Sequence, residues 1–241
     1  MRVVVSFDLE HDCPPYLEGY RGMEDGAPRL LALLAEKAIP ATFFTTGDVA
    51  RRFPEVMRQI AGQGHEVGCH GDTHRRFSDM TTDEARRELE AASEALRVFA
   101  PVTSFRAPNL DFPEAFLPLL STLGYTLDSS QAAYKPHKGH PRRPNRANGL
   151  LRVPASTMPS VVRLPMPLRM LFVRLLRDPV VLFFHPWEFV DVTREPIPYD
   201  CRYRTGAPAL ESLSSVIDDL RHRGGRFVRA RDLIADEPLI A

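Results

Sequence analysis

Residues 2–8 read Arg2-Val3-Val4-Val5-Ser6-Phe7-Asp8, a short run of β-branched and aromatic residues ending on a carboxylate. That length and composition predict a buried β-strand. Asp25 to Lys37 follows as an amphipathic segment, with Leu30, Leu31, Leu33 and Leu34 supplying its apolar side. Ala41 to Thr46 is strand-like again. Strand, helix, strand in this order predicts parallel neighbours joined by a helical crossover.

The same unit recurs outward from this stretch. Gly47 to Gly62 reads as a helix that stops at Gly62 and Gly64, and His65 to His70 as a third strand. Thr81-Thr82-Asp83-Glu84 is a capping box that starts a helix running to about Phe99. Val102 to Arg106 is strand-like. Asp111-Phe112-Pro113-Glu114 opens a further helix, with Asp111 as its cap and Gly124 as its end, before a strand from Tyr125 to Asp128. Ser129 to Asn148, rich in Pro, Lys, Arg and His, reads as a long loop. Leu151 to Val153 and Met158 to Leu164 read as short extended pieces, Leu168 to Arg177 as a basic amphipathic helix, and Pro179 to Phe184 as a buried strand. A helix from Ala207 to Arg223 stops at Gly224-Gly225, and Arg226 to Arg229 is a last strand. No internal repeat or linker interrupts the series. The expectation is one α/β domain over residues 1–241 with a parallel sheet. In such folds chemistry gathers at the C-terminal ends of strands, and Asp8, His70, Arg106, Asp128 and His185 all end strands.

Composition narrows the function classes. Apolar residues make up 44% and charged residues 26%, which suits a soluble globular chain, and 31 Lys plus Arg balance 31 Asp plus Glu. A net charge of zero gives no general attraction to nucleic acid, which is not expected as a partner. Cys13, Cys69 and Cys201 show no Cys-x-x-Cys spacing, so neither a disulfide framework nor a zinc knuckle is indicated. Met1 runs directly into the first strand with no signal peptide before it, and no apolar stretch is long enough to cross a bilayer. A cytoplasmic protein is expected.

Four constellations carry chemistry. His70-Gly71-Asp72-Thr73-His74 puts two imidazoles four residues apart at a strand end, where they can converge on one cation, although polar loop histidines have the same spacing. In Asp8-Leu9-Glu10, alternation along an extended chain points both carboxylates one way, so one can bind metal while the other takes a proton; a solvated acidic turn before Pro14-Pro15 is the plainer reading. Phe183-Phe184-His185-Pro186-Trp187 ends an apolar strand on a histidine suited to general acid catalysis, with Trp187 available to wall a pocket or stack on a sugar; a core histidine beside a core tryptophan also fits. Arg106 can orient a carboxylate and keep it ionised, or form an ordinary surface pair. Together, at successive strand ends, the four point to one site.

In this order the motifs resemble those of the polysaccharide deacetylases, the nodulation-deacetylase homology family, from about Arg2 to Phe189. His70 to His74 is similar to the family's metal motif, Phe105-Arg106-Ala107-Pro108-Asn109 to its Arg-x-Pro motif, Tyr125 to Ser130 to its Asp-Ser strand end, and Leu182 to His185 to its Leu-x-His motif. The resemblance implies a distorted, incomplete (β/α) barrel and hydrolysis of an N-acyl amide, acetyl or formyl, on a sugar. By position it implies one divalent metal ion, zinc by preference, on Glu10, His70 and His74. It further implies Asp8 as base, Arg106 orienting it, His185 as acid, an oxyanion contact near the Asn109 backbone, and Asn109 and Trp187 beside the substrate. Leu9 stands where the family commonly has a second Asp, so the third ligand falls to Glu10, as in lipid-linked-sugar members, with Asp12 a competitor. Allantoinase-like and cyclic-imide-hydrolysing relatives, and a carbohydrate-binding module without catalysis, are the alternatives.

The Arg-Gly stretch from Tyr20 to Gly26 also resembles lipid-linked-sugar members. An acylated sugar or lipid-linked sugar is therefore the expected substrate. Leu164 to Leu176, with Arg163, Arg169, Arg174 and Arg177, suits a helix within 164–177 lying peripherally on the inner face of the membrane, as well as an ordinary barrel helix. Lys135, His137, Lys138, His140, Arg142 and Arg143 are a solvated basic loop with a capacity to bind phosphate.

Overall fold

The computed structural model describes residues 1–135 and 141–235. His137, Lys138 and His140 of the basic loop lie outside the described residues. The centre of the fold is strand β1 (Arg2–Leu9), whose residues from Val3 to Leu9 are all buried. It is flanked in parallel by β2 (Thr42–Thr45) and β8 (Val180–Phe184), and its first residues also pair with β9 (Arg226–Phe227). From β2 the sheet continues through β3 (Glu66–Cys69), β4 (Ser104–Phe105), β5 (Leu127–Asp128) and β7 (Leu150–Arg152), all parallel, and ends on β6 (Asn145–Ala147), antiparallel to β7.

The sheet curls into an incomplete (β/α) barrel. Its two edges approach where the Ser156 N–H donates to the Val181 carbonyl at 2.8 Å and the Val181 N–H donates to Ser156 Oγ at 2.9 Å. Alternation along β1 sorts its side chains. Val3, Val5, Phe7 and Leu9 join the outer core under the helices, with Phe7 stacked on Phe43 at 5.1 Å. Val4 packs on the other face with Phe44, Leu127, Leu151 and Val181. Ser6, Asp8 and Glu10 follow Val4 on that interior face, so the barrel is apolar at its base and polar at its mouth.

Helices α1 (Ala27–Lys37), α4 (Thr82–Arg97) and α9 (Ala207–His222) cover the sheet where the periodicity predicted them. The capping box holds: the Glu84 N–H donates to Thr81 Oγ1 at 3.3 Å, and the Thr81 N–H donates to Glu84 Oε2 at 2.8 Å.

Several expectations are corrected. The single helix from Gly47 to Gly62 is two, α2 (Gly47–Arg52) and α3 (Pro54–Gly62), because Pro54 has no N–H to continue the ladder and drives Phe53 out of the helical region. Asp111 is no cap; a 3-10 turn at Glu114–Phe116 leads into α5 (Leu117–Thr122). The long loop ends in the β6–β7 hairpin, whose Asn148-Gly149 turn has φ of 50° and 76°, the geometry that Asn-Gly favours. Met158 to Leu164 is not extended: Pro159 starts the short helix α6 (Pro159–Val162), followed by α7 (Met166–Arg174). Two further short helices, α8 (Tyr199–Arg202) and α10 (Asp232–Ala235), have too few residues to show a period.

Thr81→Ala removes one cap hydrogen bond and should lower the unfolding free energy by about 1 kcal/mol in urea titration, while Thr81→Ser should retain most of it.

Candidate active site

Glu10, immediately after β1, is buried at the barrel mouth and meets two histidines from the loop after β3. Its Oε2 lies 2.6 Å from His74 Nε2 and 3.4 Å from His70 Nε2, and one ligand atom from each of the three residues falls within 4.8 Å of the others. The histidine loop is fixed before any ligand arrives. Gly71 has φ of 79° and His74 φ of 61°, left-handed conformations that let the chain double back. Glu88 of α4 accepts the N–H groups of Asp72 and Thr73 at 2.9 and 2.6 Å, and Arg51 grips Asp72 through both guanidinium nitrogens. At Gly47 a Cβ would stand 1.9 Å from Asp72 Oδ1, so only glycine allows this close approach.

The donor set fits a small divalent cation. His70 Nδ1 lies 2.7 Å from the Arg106 carbonyl oxygen, which can only accept, so Nδ1 donates there and Nε2 is the ring atom that faces Glu10. Burial alone would raise the Glu10 pKa, but His74 and His185 together with hydrogen bonds from His70 and His74 hold it well below the ordinary carboxylate range. Burial would lower that of His74, and Glu10 raises it. The His74 proton directed at Glu10 is one that a cation would displace. Two imidazoles and one carboxylate leave coordination positions open, as hydrolytic metal sites do.

Asp12, the competing ligand, accepts backbone N–H groups. Its Oδ2 accepts the Arg21 N–H at 2.9 Å and its Oδ1 the Gly22 N–H at 2.8 Å, tying together the loop after β1. That loop packs on the Pro186-Trp187 turn, where a Cβ on Gly26 would lie 2.1 Å from the Pro186 carbonyl oxygen.

Two carboxylate–cation pairs flank the cluster. Arg106, with no exposed surface, donates from Nη1 to Asp8 Oδ1 at 2.7 Å and to Ser6 Oγ at 2.9 Å, and from Nη2 to Ser129 Oγ at 3.0 Å. Its guanidinium carbon sits 4.2 Å from the centre of the Phe44 ring. Across the mouth, His185 after β8 has Nε2 3.8 Å from Glu10 Oε1 and Nδ1 2.9 Å from Glu188 Oε1. Burial opposes its charged form, but Glu10, Glu188 and Asp8 outweigh that and raise its pKa to about 9. Glu188 is in turn paired with buried Arg163, whose Nε lies 3.1 Å from Glu188 Oε2.

The structure thus brings Asp8, Glu10, His70, His74, Arg106, His185 and Trp187 together. Trp187 is buried: its ring stacks on His185 at 5.1 Å and its N–H donates to Glu10 Oε1 at 3.4 Å, so it braces the cluster from behind. Asn109 is exposed in the turn after Arg106, with φ of 62°. Asp128 is a structural residue, buried against Arg152 at 2.9 Å. Glu188 was not singled out from the sequence, and Arg163 was read only with the arginines of the basic helix; the spacing of His185 and Glu188 across one helical turn was the available signal.

A family model for polysaccharide deacetylase matches residues 3–127, and the chain belongs to that family. It is 36% identical over 92 residues to a chitooligosaccharide deacetylase of Sinorhizobium fredii, a match covering 36% of this chain and 43% of that protein. It is also 36% identical over 110 residues to a peptidoglycan deacetylase of Helicobacter pylori, covering 44% and 37%. These matches span less than half the length of either relative. The solved structure of a Mycobacterium smegmatis protein assigned as a polysaccharide deacetylase has the same fold, with a TM-score of 0.72 at 22% identity over 98% of this chain and 88% of that one.

Glu10→Ala, His70→Ala and His74→Ala should each abolish zinc binding in calorimetric titration, whereas Asp12→Ala should keep the metal and lower the melting temperature. Metal loss in Asp12→Ala alone would transfer the ligand role to that residue.

Proposed function

We propose that this protein is a metal-dependent hydrolase that removes an N-acyl group, acetyl foremost, from a sugar or lipid-linked sugar. The observation that carries the reading is the Glu10–His70–His74 cluster between two separately held groups, Asp8 with Arg106 and His185 with Glu188. Both curated relatives described above are named as deacetylases of acetylated sugars, which agrees with it.

Glu10, His70 and His74 would hold one divalent ion, zinc by preference for such nitrogen and oxygen donors, and it would supply Lewis acidity at the amide carbonyl and acidify the attacking water. Asp8 accepts the proton of that water. Arg106 fixes Oδ1 of Asp8 by a hydrogen bond, which aims the carboxylate that serves as base. His185 donates a proton to the departing amine. Glu188 holds the His185 ring by Nδ1, leaving Nε2 toward the reacting centre. A cytoplasmic location and a lipid-linked substrate complete the proposal.

The test is acetate release from chitooligosaccharides after zinc reconstitution. Chelation should remove activity and zinc restore it. Asp8→Asn should retain one metal per chain yet lose activity by on the order of a hundredfold or more, as should His185→Ala. A metal-loaded wild type that releases neither acetate nor formate from acylated sugars would overturn the reading.

Glu188→Gln should lower kcat about tenfold with KM little changed, the pattern of a positioning residue.

A further inference from the structure

Helix α7 turns its apolar side to water. Of nine large hydrophobic residues exposed among the described residues, six lie between residues 158 and 175: Met158, Met166, Leu168, Leu171, Phe172 and Leu175. Leu175 is 68% and Met166 63% exposed, and no described element covers them. A surface helix ordinarily does the reverse.

The inversion is fixed from beneath. Arg163 is buried, paired with Glu188, and donates to the carbonyl oxygens of Asp200, Cys201 and Tyr203 at 2.7–2.8 Å. Arg169 is buried and donates to Ser212 and Ser215 of α9 at 2.8 and 3.1 Å. Rotating the segment to hide its leucines would strand a guanidinium without partners, a larger loss than the exposure of a few apolar side chains.

Charge adds a second, independent observation. Residues 129–177 contain ten lysines and arginines and no aspartate or glutamate, in a chain whose total charges cancel. Arg142, Arg143, Arg146, Arg174 and Arg177 of this stretch are exposed. Leu175 also borders a cleft lined by Leu176, Arg142, Arg143, Arg177 and the paired Arg2 and Asp178, so the apolar face runs into a recess where arginines outnumber the one carboxylate. Leucine, methionine and phenylalanine suit the acyl boundary of a bilayer, and arginines suit its phosphates. Nucleic acid would use the arginines and leave the leucines in water.

We infer that α7 and its flanks dock the protein on a bilayer surface containing anionic phospholipids. The inference does not depend on the proposed hydrolysis.

The test is co-sedimentation of the full chain with vesicles of phosphatidylcholine, alone or mixed with phosphatidylglycerol at about 3:1. Wild type should bind the mixed vesicles, bind the neutral ones far less, and dissociate as salt rises. Leu168→Glu/Phe172→Glu should weaken partitioning at least about tenfold. Arg174→Gln/Arg177→Gln should weaken it about fivefold per charge, with both variants retaining the wild-type circular dichroism and melting temperature. Absence of wild-type binding to the mixed vesicles would overturn the proposal, as would undiminished binding by both variants. A wild-type dimer that binds no vesicles and becomes monomeric in Leu168→Glu/Phe172→Glu would also overturn it, assigning the face to a second copy.

Discussion

The mouth of this barrel is organised around one guanidinium that water cannot reach. A guanidinium offers only donors, so burying that of Arg106 obliges the chain to surround it with acceptors. Asp8 and Ser6 come from β1, Ser129 from the end of β5, and the Phe44 face from β2. Leaving such a group buried without its partner costs about 3–5 kcal/mol. Stability and the aim of the Asp8 carboxylate are thereby enforced by the same contacts.

A contrast in how three carboxylates are balanced gives the site its chemistry. Asp8 is paired with Arg106, and Glu188 with Arg163 as well as His185. Glu10 has imidazoles and the Trp187 N–H around it, and no lysine or arginine pairs with it among the described residues. Guanidinium groups keep their protons, whereas imidazoles can surrender them. On the proposed reading, a cation held by Glu10, His70 and His74 would match that carboxylate's charge and displace the His74 proton directed at it.

Much of this was legible in the sequence. The strand–helix alternation predicted the parallel sheet, and period-two reasoning along Asp8-Leu9-Glu10 placed Asp8 and Glu10 on one face. The errors have physical reasons. Phe53-Pro54 breaks a helix that a run of suitable residues suggested, and Asn148-Gly149 was absorbed into a loop although that pair is a hairpin signal. Asp12 and Glu10 were not separable by type, because nothing in a string of acids tells which will bind backbone N–H groups and which will meet a histidine. For Trp187 the sequence left a pocket wall, a sugar stack and a core position open; packing adds that its ring stacks on His185. The inversion of α7 was equally hidden, since Arg163 and Arg169 are held inward by the 200–203 segment and by α9, far along the chain.

The two-sided burial of β1 sets a rule for how this chain can vary in length. Removing one residue between Val3 and Phe7 would exchange the faces of everything upstream or downstream of the gap, sending Phe7 and Leu9 into the polar mouth or Asp8 and Glu10 under the helices. The hairpin at Asn148-Gly149 lies at the sheet's far edge, and its turn is exposed. Insertions and deletions accumulated over time should therefore be tolerated at that rim, while the span from Val3 to Glu10 keeps a fixed count of residues even where its identities drift.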